Sequence, residues 1–151
     1  MINSVALFGS DNGRISKDDC SRIVEILLMR DIKVFVQEKL RGKVHDSFRE
    51  RITTYCNIFH SKINPDQVLS IGGDGTFQQT ILQIRNTGIP IAGVNAGRLG
   101  FLANIHDDFE ISLERLLKQD YTIIERNLIE LVEPHMIMGR SNVALNDITV
   151  Q

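Results

Sequence analysis

No run of apolar residues in this sequence approaches the ~20 that a helix needs to cross a bilayer. Asp11 and Arg14 soon interrupt the N-terminal apolar segment, so the pattern of a secretory leader is missing too. Positive charge is scarce: 17 Lys and Arg against 19 Asp and Glu give a formal charge of −2, with no basic cluster, which argues against a nucleic-acid partner. Cysteine is limited to Cys20 and Cys56, both in segments with helical spacing and neither in a metal or redox motif. They read as reduced, partly buried thiols. His45, His60, His106 and His135 form no pair at metal-ligand spacing and read as scattered surface residues. Internal repeats and low-complexity tracts are missing as well. These absences lead to a soluble, cytoplasmic protein with neither a membrane nor a nucleic acid as partner. At 151 residues, 42% hydrophobic and 24% charged, the chain holds one full core, or one domain and part of another.

What is present is an alternation. Residues 5–8 form a short apolar run closed by Gly9-Ser10-Asp11-Asn12-Gly13, a strand and a turn. Ser16, with Asp19 three residues on, predicts an N-cap, and Cys20, Ile23, Val24, Leu27 and Leu28 keep helical period after it. A β-branched run over 32–36 predicts a second strand. Phe48, Ile52, Tyr55 and Phe59 step by four, three and four and predict a second helix. Pro65-Asp66 precedes a third strand over 68–71, Phe77, Ile81 and Ile84 place a third helix, and 89–94 is a fourth apolar strand. Strands that are apolar throughout belong to a parallel sheet covered on both faces. The fold class is therefore α/β, a Rossmann-like parallel sheet with helices on both faces.

The pattern changes near residues 103–107. Asp107-Asp108 opens a helix carrying Phe109, Leu113, Leu116 and Leu117, its acidic residues favourable to the helix dipole. Two β-rich stretches follow, 121–132 and 143–150, with no helix between them, which predicts an antiparallel arrangement. The boundary divides an N-terminal α/β domain, 1–104, from the start of a β-rich domain, 105–151. Two strands and a helix do not close a β domain, so the chain reads as a fragment of a longer protein. Ile129, Leu131, Ile148 and Val150 are then expected to be exposed.

The chemistry centres on Gly72-Gly73-Asp74-Gly75-Thr76-Phe77, between the third strand and its helix. Paired glycines there allow positive φ and close backbone approach, and the helix that opens presents unpaired N–H groups to an anion. Gly72, Gly73, Gly75 and Thr76 are thus candidate nucleotide-binding residues. A carboxylate in this place competes with phosphate, so Asp74 needs a purpose; the plain one is an N-cap, the chemical one is to orient a hydroxyl and take its proton. A second glycine-rich segment, Gly93-Val94-Asn95-Ala96-Gly97-Arg98-Leu99-Gly100-Phe101, stands at the next strand end, where ligands of open α/β sheets bind. Asn95 and Gly97 there serve a tight turn, a ligand, or both. The Lys-Ser/Thr of a Walker A loop and the G-x-G-x-x-G fingerprint are both absent.

Gly72-Gly73-Asp74-Gly75-Thr76-Phe77 resembles the signature of the NAD kinase family, within a superfamily shared with diacylglycerol-type lipid kinases and phosphofructokinases. The segment from Gly93 through Leu102 resembles the second NAD kinase motif almost position for position. Ala144-Leu145-Asn146-Asp147 is similar to a third, in which the family usually has Glu at the last position, and Glu125-Arg126-Asn127-Leu128 resembles the first strand of the family's second domain. The resemblance implies phosphorylation of the adenosine ribose 2′-hydroxyl of NAD to NADP, with ATP and Mg2+ or another divalent cation. It implies Asp74 as the proton acceptor, Gly75, Asn146 and Asp147 as dinucleotide contacts, Asn95 and Phe101 beside them, and a homodimer or homotetramer. No metal ligand is assigned. Gln78 and Gln79 depart from the family's usual apolar and basic residues, and Asp147 is one methylene shorter than Glu. A diacylglycerol-type lipid kinase and a non-catalytic nucleotide-binding module are the alternatives; the 95–101 motif stands against the first.

Overall fold

Val5, Ala6, Leu7 and Phe8 are all buried, so the strand that contains them needs cover on both faces. In the computed structural model, which describes residues 1–9, 13–58, 61–95, 105, 109–132 and 143–145, that strand is β1 (Ser4–Gly9), the middle of a five-stranded parallel sheet. With β2 (Lys33–Gln37), β3 (Thr53–Tyr55), β4 (Gln67–Ile71) and β5 (Ile91–Val94), the order is β3-β2-β1-β4-β5. β1 pairs with β4 from Val5↔Gln67 to Gly9↔Ile71.

The alternation of strand side chains sorts the core into two clusters. Val5, Leu7, Val34, Val36, Leu69 and Ile71 meet Cys20, Ile23, Val24 and Leu27 of α1 (Lys17–Leu28) on one face. Ala6, Phe8, Phe35 and Val68 meet Ile84 of α2 (Asp74–Ile84) on the other. Ser16 caps α1 as predicted: its hydroxyl accepts from the Asp19 N–H at 2.9 Å and donates to the Asp19 carboxylate at 2.7 Å.

α3 (Phe109–Leu117) joins the α1 face, where Leu113 and Leu116 are buried in the same cluster. Burial of a leucine stabilises by about 1.5–3 kcal/mol, so these two carry the attachment. Around them Arg22 grips Glu110 through Nε at 2.8 Å and Nη2 at 3.2 Å, and Arg30 pairs with Glu114. Just before α3, Ile105 bridges Val94 in parallel register: its N–H donates to Gly93 O at 2.9 Å, and its carbonyl accepts from Asn95 N–H at 2.8 Å.

Three expectations are corrected. The helix over 48–59 is not formed; 3₁₀ turns at Glu38–Lys43 and Asp46–Phe48 lead into β3 instead. Phe48 and Ile52 pack on the α1-face cluster while Tyr55 belongs to the opposite one, so their spacing reports two faces of a sheet and not one stripe of a helix. Thr53-Thr54-Tyr55 suits a strand, and the Tyr55 hydroxyl donates to Leu7 O at 3.0 Å. Cys20 is buried, which pushes its thiol up to about 12, but Cys56 is exposed and donates to Glu38 Oε2 at 2.8 Å. The stretch 121–132 contributes only β6 (Ile129–Glu130), paired antiparallel with β7 (Val143–Ala144). Ile123 and Ile124 are 60% and 68% exposed and Ile129 is exposed as expected, so among the described residues no opposing surface holds the rest as strand. Phe59, Ile148 and Val150 lie outside the described residues.

At the start of the sheet Asp66 joins β4 to β1. Its carboxylate accepts from Asn3 N–H at 2.8 Å, Ser4 N–H at 2.9 Å and the Ser4 hydroxyl at 3.0 Å. The Asn3 N–H lowers its pKa below the ordinary 3.8; burial opposes this, and the Ser4 hydroxyl and N–H add to the lowering. A lowered folded-state value contributes stability that is complete above 3.8 and is lost as pH falls through the folded value. Urea unfolding between about pH 5 and pH 2 should therefore weaken the wild type more steeply than Asp66→Asn; parallel profiles would contradict this.

Candidate active site

Connections leave the sheet in opposite directions at its centre, β1 to β2 toward one edge and β4 to β5 toward the other. The carboxyl ends of β1 and β4 therefore border the crevice in which open α/β sheets bind ligands. Gly9 closes β1 there. A Cβ on it would lie 3.0 Å from Leu40 Cδ1 and 3.1 Å from Ile71 O, so a side chain does not fit without displacement. The buried Gln37 side chain accepts from the Gly9 N–H at 3.3 Å and holds the strand end.

The turn after β4 depends on Gly72. Its φ of +152° disfavours any L side chain, and a Cβ would stand 2.4 Å from Thr76 Oγ1. The Gly72 N–H donates to Val94 O at 2.9 Å, which ties the end of β4 to the end of β5 and brings Asn95, half-buried just beyond Val94, to the neighbouring strand end. The two glycine-rich loops thus begin side by side, as the sequence predicts. Gly73, with φ −88° and ψ −170°, is the N-cap of α2 and carries no side chain with which to cap it. Its carbonyl accepts from the Thr76 and Phe77 N–H groups at 3.0 and 3.1 Å. Asp74 is the first residue of the helix and half-buried, so the capping position belongs to Gly73 and not to the carboxylate. Gly73 and Gly75 are exposed, and a Cβ on either would meet nothing within 4 Å; their backbone is open to a ligand.

α1 also begins at this edge, but its N-terminus is closed. Ser16 takes the Asp19 N–H, and Asp18 and Asp19 place two carboxylates in the first turn. α2 starts on a glycine with one carboxylate, so between the two helices an anion is favoured at α2. Behind the loop, Thr80 is fully buried, with Oγ1 at 2.8 Å from Ser70 Oγ and 2.9 Å from Thr76 O. This pair fixes α2 on β4. The sequence reading missed Gly9, Gln37, Ser70 and Thr80; only Gly9, a glycine at a strand end, left a local signal.

Phe101, Asn146 and Asp147 lie outside the described residues. β7, just ahead of Asn146 in the chain, contacts α2. Of the histidines only His45 is described; it is half-buried and pairs with Asp18 at 2.9 Å. Among the described residues no three His, Cys, Asp or Glu side chains are grouped to hold a metal, and no helix is long and apolar enough to cross a membrane.

Residues 5–121 match the family described as the ATP-NAD kinase N-terminal domain. The chain is 36% identical over 129 residues to an NAD kinase of Bacteroides fragilis, which covers 83% of this chain and 41% of that protein. It is 34% identical over 153 residues to an NAD kinase of Flavobacterium psychrophilum, covering 97% and 51%. The chain thus spans about half the length of the curated relatives it matches. Among solved structures, yeast NADH kinase complexed with NADH superposes with a TM-score of 0.70 at 17% identity, over 85% of this chain and 42% of that one. An Archaeoglobus fulgidus NAD kinase in complex with ATP gives 0.61 at 20% identity, over 95% and 46%. Both share the fold.

The geometry at Gly72 leads to a stability prediction. Gly72→Ala should cost about 1–3 kcal/mol in urea unfolding, from the strained φ and the clash with Thr76. An unchanged midpoint would show that the turn relaxes freely.

Proposed function

The chain belongs to the NAD kinase family, and on that premise we propose that it supplies the catalytic carboxylate and phosphate-binding loop of an NAD kinase. The reaction moves the γ-phosphoryl group of ATP to the adenosine ribose 2′-hydroxyl of NAD. The bond from γ-phosphorus to the β,γ-bridging oxygen breaks, the 2′-oxygen takes its place, and NADP and ADP leave. The observation that carries this reading is Asp74 at the first position of α2, behind the open backbone of Gly73 and beside that of Gly75, at the crevice between β1 and β4.

A carboxylate at a helix N-terminus is a weak base, which phosphoryl transfer tolerates because its transition state is loose and the hydroxyl need not ionise early. Asp74 accepts a charge-assisted hydrogen bond from the 2′-hydroxyl, aims its oxygen, and takes the proton as the new bond forms. Gly72, Gly73, Gly75 and Thr76 bring the first turn of α2 to the nucleotide phosphates. Asn95 and Phe101 stand beside the dinucleotide, and Asn146 and Asp147 contact it; the contact of β7 with α2 supports bringing that last motif to the same helix. Mg2+ or another divalent cation, bound with ATP, would neutralise charge on its phosphates.

We further propose a cytoplasmic homodimer or homotetramer. The division into two units is also a proposal: the sequence sets it at 104/105, whereas the packing of Ile105 and α3 on the first sheet's edge and core supports a start of the second unit beyond α3, with the β6–β7 pair.

Asp74→Asn should lower the turnover of NADP formation by at least ~100-fold, while NAD affinity changes by less than about threefold. Equal loss of both would assign Asp74 to binding. Gly75→Ala should leave unfolding nearly unchanged, since its Cβ meets nothing, yet weaken nucleotide binding severalfold; unchanged binding would remove that backbone from the site. The reading as a whole is tested by NADP formation from NAD, ATP and Mg2+ with the protein of the full reading frame. Absence of product overturns it.

A further inference from the structure

We propose that Thr80 and Ser70 are positioning residues for Asp74, their hydroxyls forming a directed hydrogen-bond chain from β4 to the first turn of α2. The proposal deepens the kinase reading above and rests on it for the role of the carboxylate. Thr80 Oγ1 lies 2.8 Å from Ser70 Oγ and 2.9 Å from the Thr76 carbonyl oxygen. The carbonyl only accepts, and the Thr80 hydroxyl carries one proton. Both bonds therefore form together only when Thr80 donates to Thr76 and the Ser70 hydroxyl donates to Thr80. Thr80 is fully buried and Ser70 nearly so, which keeps solvent from competing for either hydroxyl. The chain starts on β4 two residues before Gly72, where Ser70 stands in register between Phe8 and Gly93. It ends on the backbone of a candidate nucleotide-binding residue, two positions after Asp74.

Packing alone leaves the direction of that turn open. Thr80, Ile81 and Ile84 are the buried residues of α2, and none of residues 74–79 is buried. The turn that carries Asp74 thus projects ahead of the part of the helix that packs on the sheet. Its direction is fixed at one end by the backbone at Gly72 and at the other by the hold of Thr80 on the Thr76 carbonyl. A threonine hydroxyl bonded to the carbonyl four residues earlier draws on the helix ladder and bends it. Here the same hydroxyl is tied to the strand, so the bend is set against β4. Apolar residues of equal volume would fill the space, but burial of apolar surface is non-directional and does not set an angle. A small rotation of the first turn would move the carboxylate off the hydroxyl it orients, and phosphoryl transfer depends on that alignment.

A packing contact and a positioning pair respond differently to two substitutions. Thr80→Val keeps the shape and removes the hydroxyl; Thr80→Ser keeps the hydroxyl and removes a methyl group. Both are compared with wild type in the protein of the full reading frame, by steady-state NADP formation, thermal unfolding and amide hydrogen exchange. The amides read are those of Thr76 and Phe77, whose N–H groups close the first turn on Gly73 O. Thr80→Val should lower kcat about tenfold, with the KM values for NAD and ATP within about twofold, and speed exchange of the two amides about tenfold where the protein is folded. Thr80→Ser should stay within about twofold of wild type in kcat and in exchange, whatever it loses in thermal stability. Should Thr80→Val fail to fold, Ser70→Ala, which breaks the same chain at its other end, is read in its place. Unchanged kcat or unchanged exchange in the folded variant, or losses that Thr80→Ser shares, overturn the proposal. A wild type that makes no NADP overturns the kinase reading and leaves the pair to be judged by exchange alone.

Discussion

The hydrogen bond from the Gly72 amide to the Val94 carbonyl is the contact on which the site depends. Directly after it the chain turns at φ +152°, a conformation that favours glycine, and enters α2. Were the backbone to leave that conformation, the first turn of α2 would swing away from β5. Asp74 and Asn95 would then no longer begin from neighbouring strand ends. The Ser70–Thr80 contact shows how firmly the helix is then seated, since two buried hydroxyls satisfy each other behind the loop. Rigidity behind and open backbone in front is the arrangement a phosphoryl-transfer site needs, because most of its work is positioning.

Much of this was legible in the sequence, for reasons that are local. The apolar runs that became β1, β2, β4 and β5 needed no partner to be recognised, and Ser16 with Asp19 announced the start of α1. The glycine pair before Asp74 announced the turn. The segment 48–59 was not legible, because apolar spacing does not say to which layer each residue goes. Phe48 and Ile52 face one cluster and Tyr55 the other, a fact decided by β2, against which β3 pairs. The β-rich stretch 121–132 failed for the opposite reason: strand propensity was present, but among the described residues no surface covers it. Ser70, Thr80 and Gln37 were silent because a buried polar residue is explained only by the partner that meets it.

The two faces of the sheet have different fastenings. On the α2 face a short segment packs through apolar contacts and one hydroxyl pair. On the other, α1 and α3 share a larger cluster rimmed by Arg22–Glu110 and Arg30–Glu114. Helix α3 comes from beyond the second glycine-rich segment, so its docking closes that segment at both ends, at Asn95 on one side and Ile105 on the other, with the two residues hydrogen-bonded to each other.

Asp66 and Gly72 stand at the two ends of β4, and the strand between them is a spacer of fixed length. At about 3.3 Å per residue, the steps from Asp66 to Gly72 set the glycine turn roughly 20 Å from the anchor at Asn3 and Ser4. One residue more or less in 67–71 would do more than shift the turn along the sheet. It would exchange the two faces, turning Val68 and Ser70 toward α1 and Leu69 and Ile71 toward α2. Changes of chain length are thus confined to the connections at either edge, while the distance from anchor to carboxylate is counted out in whole residues.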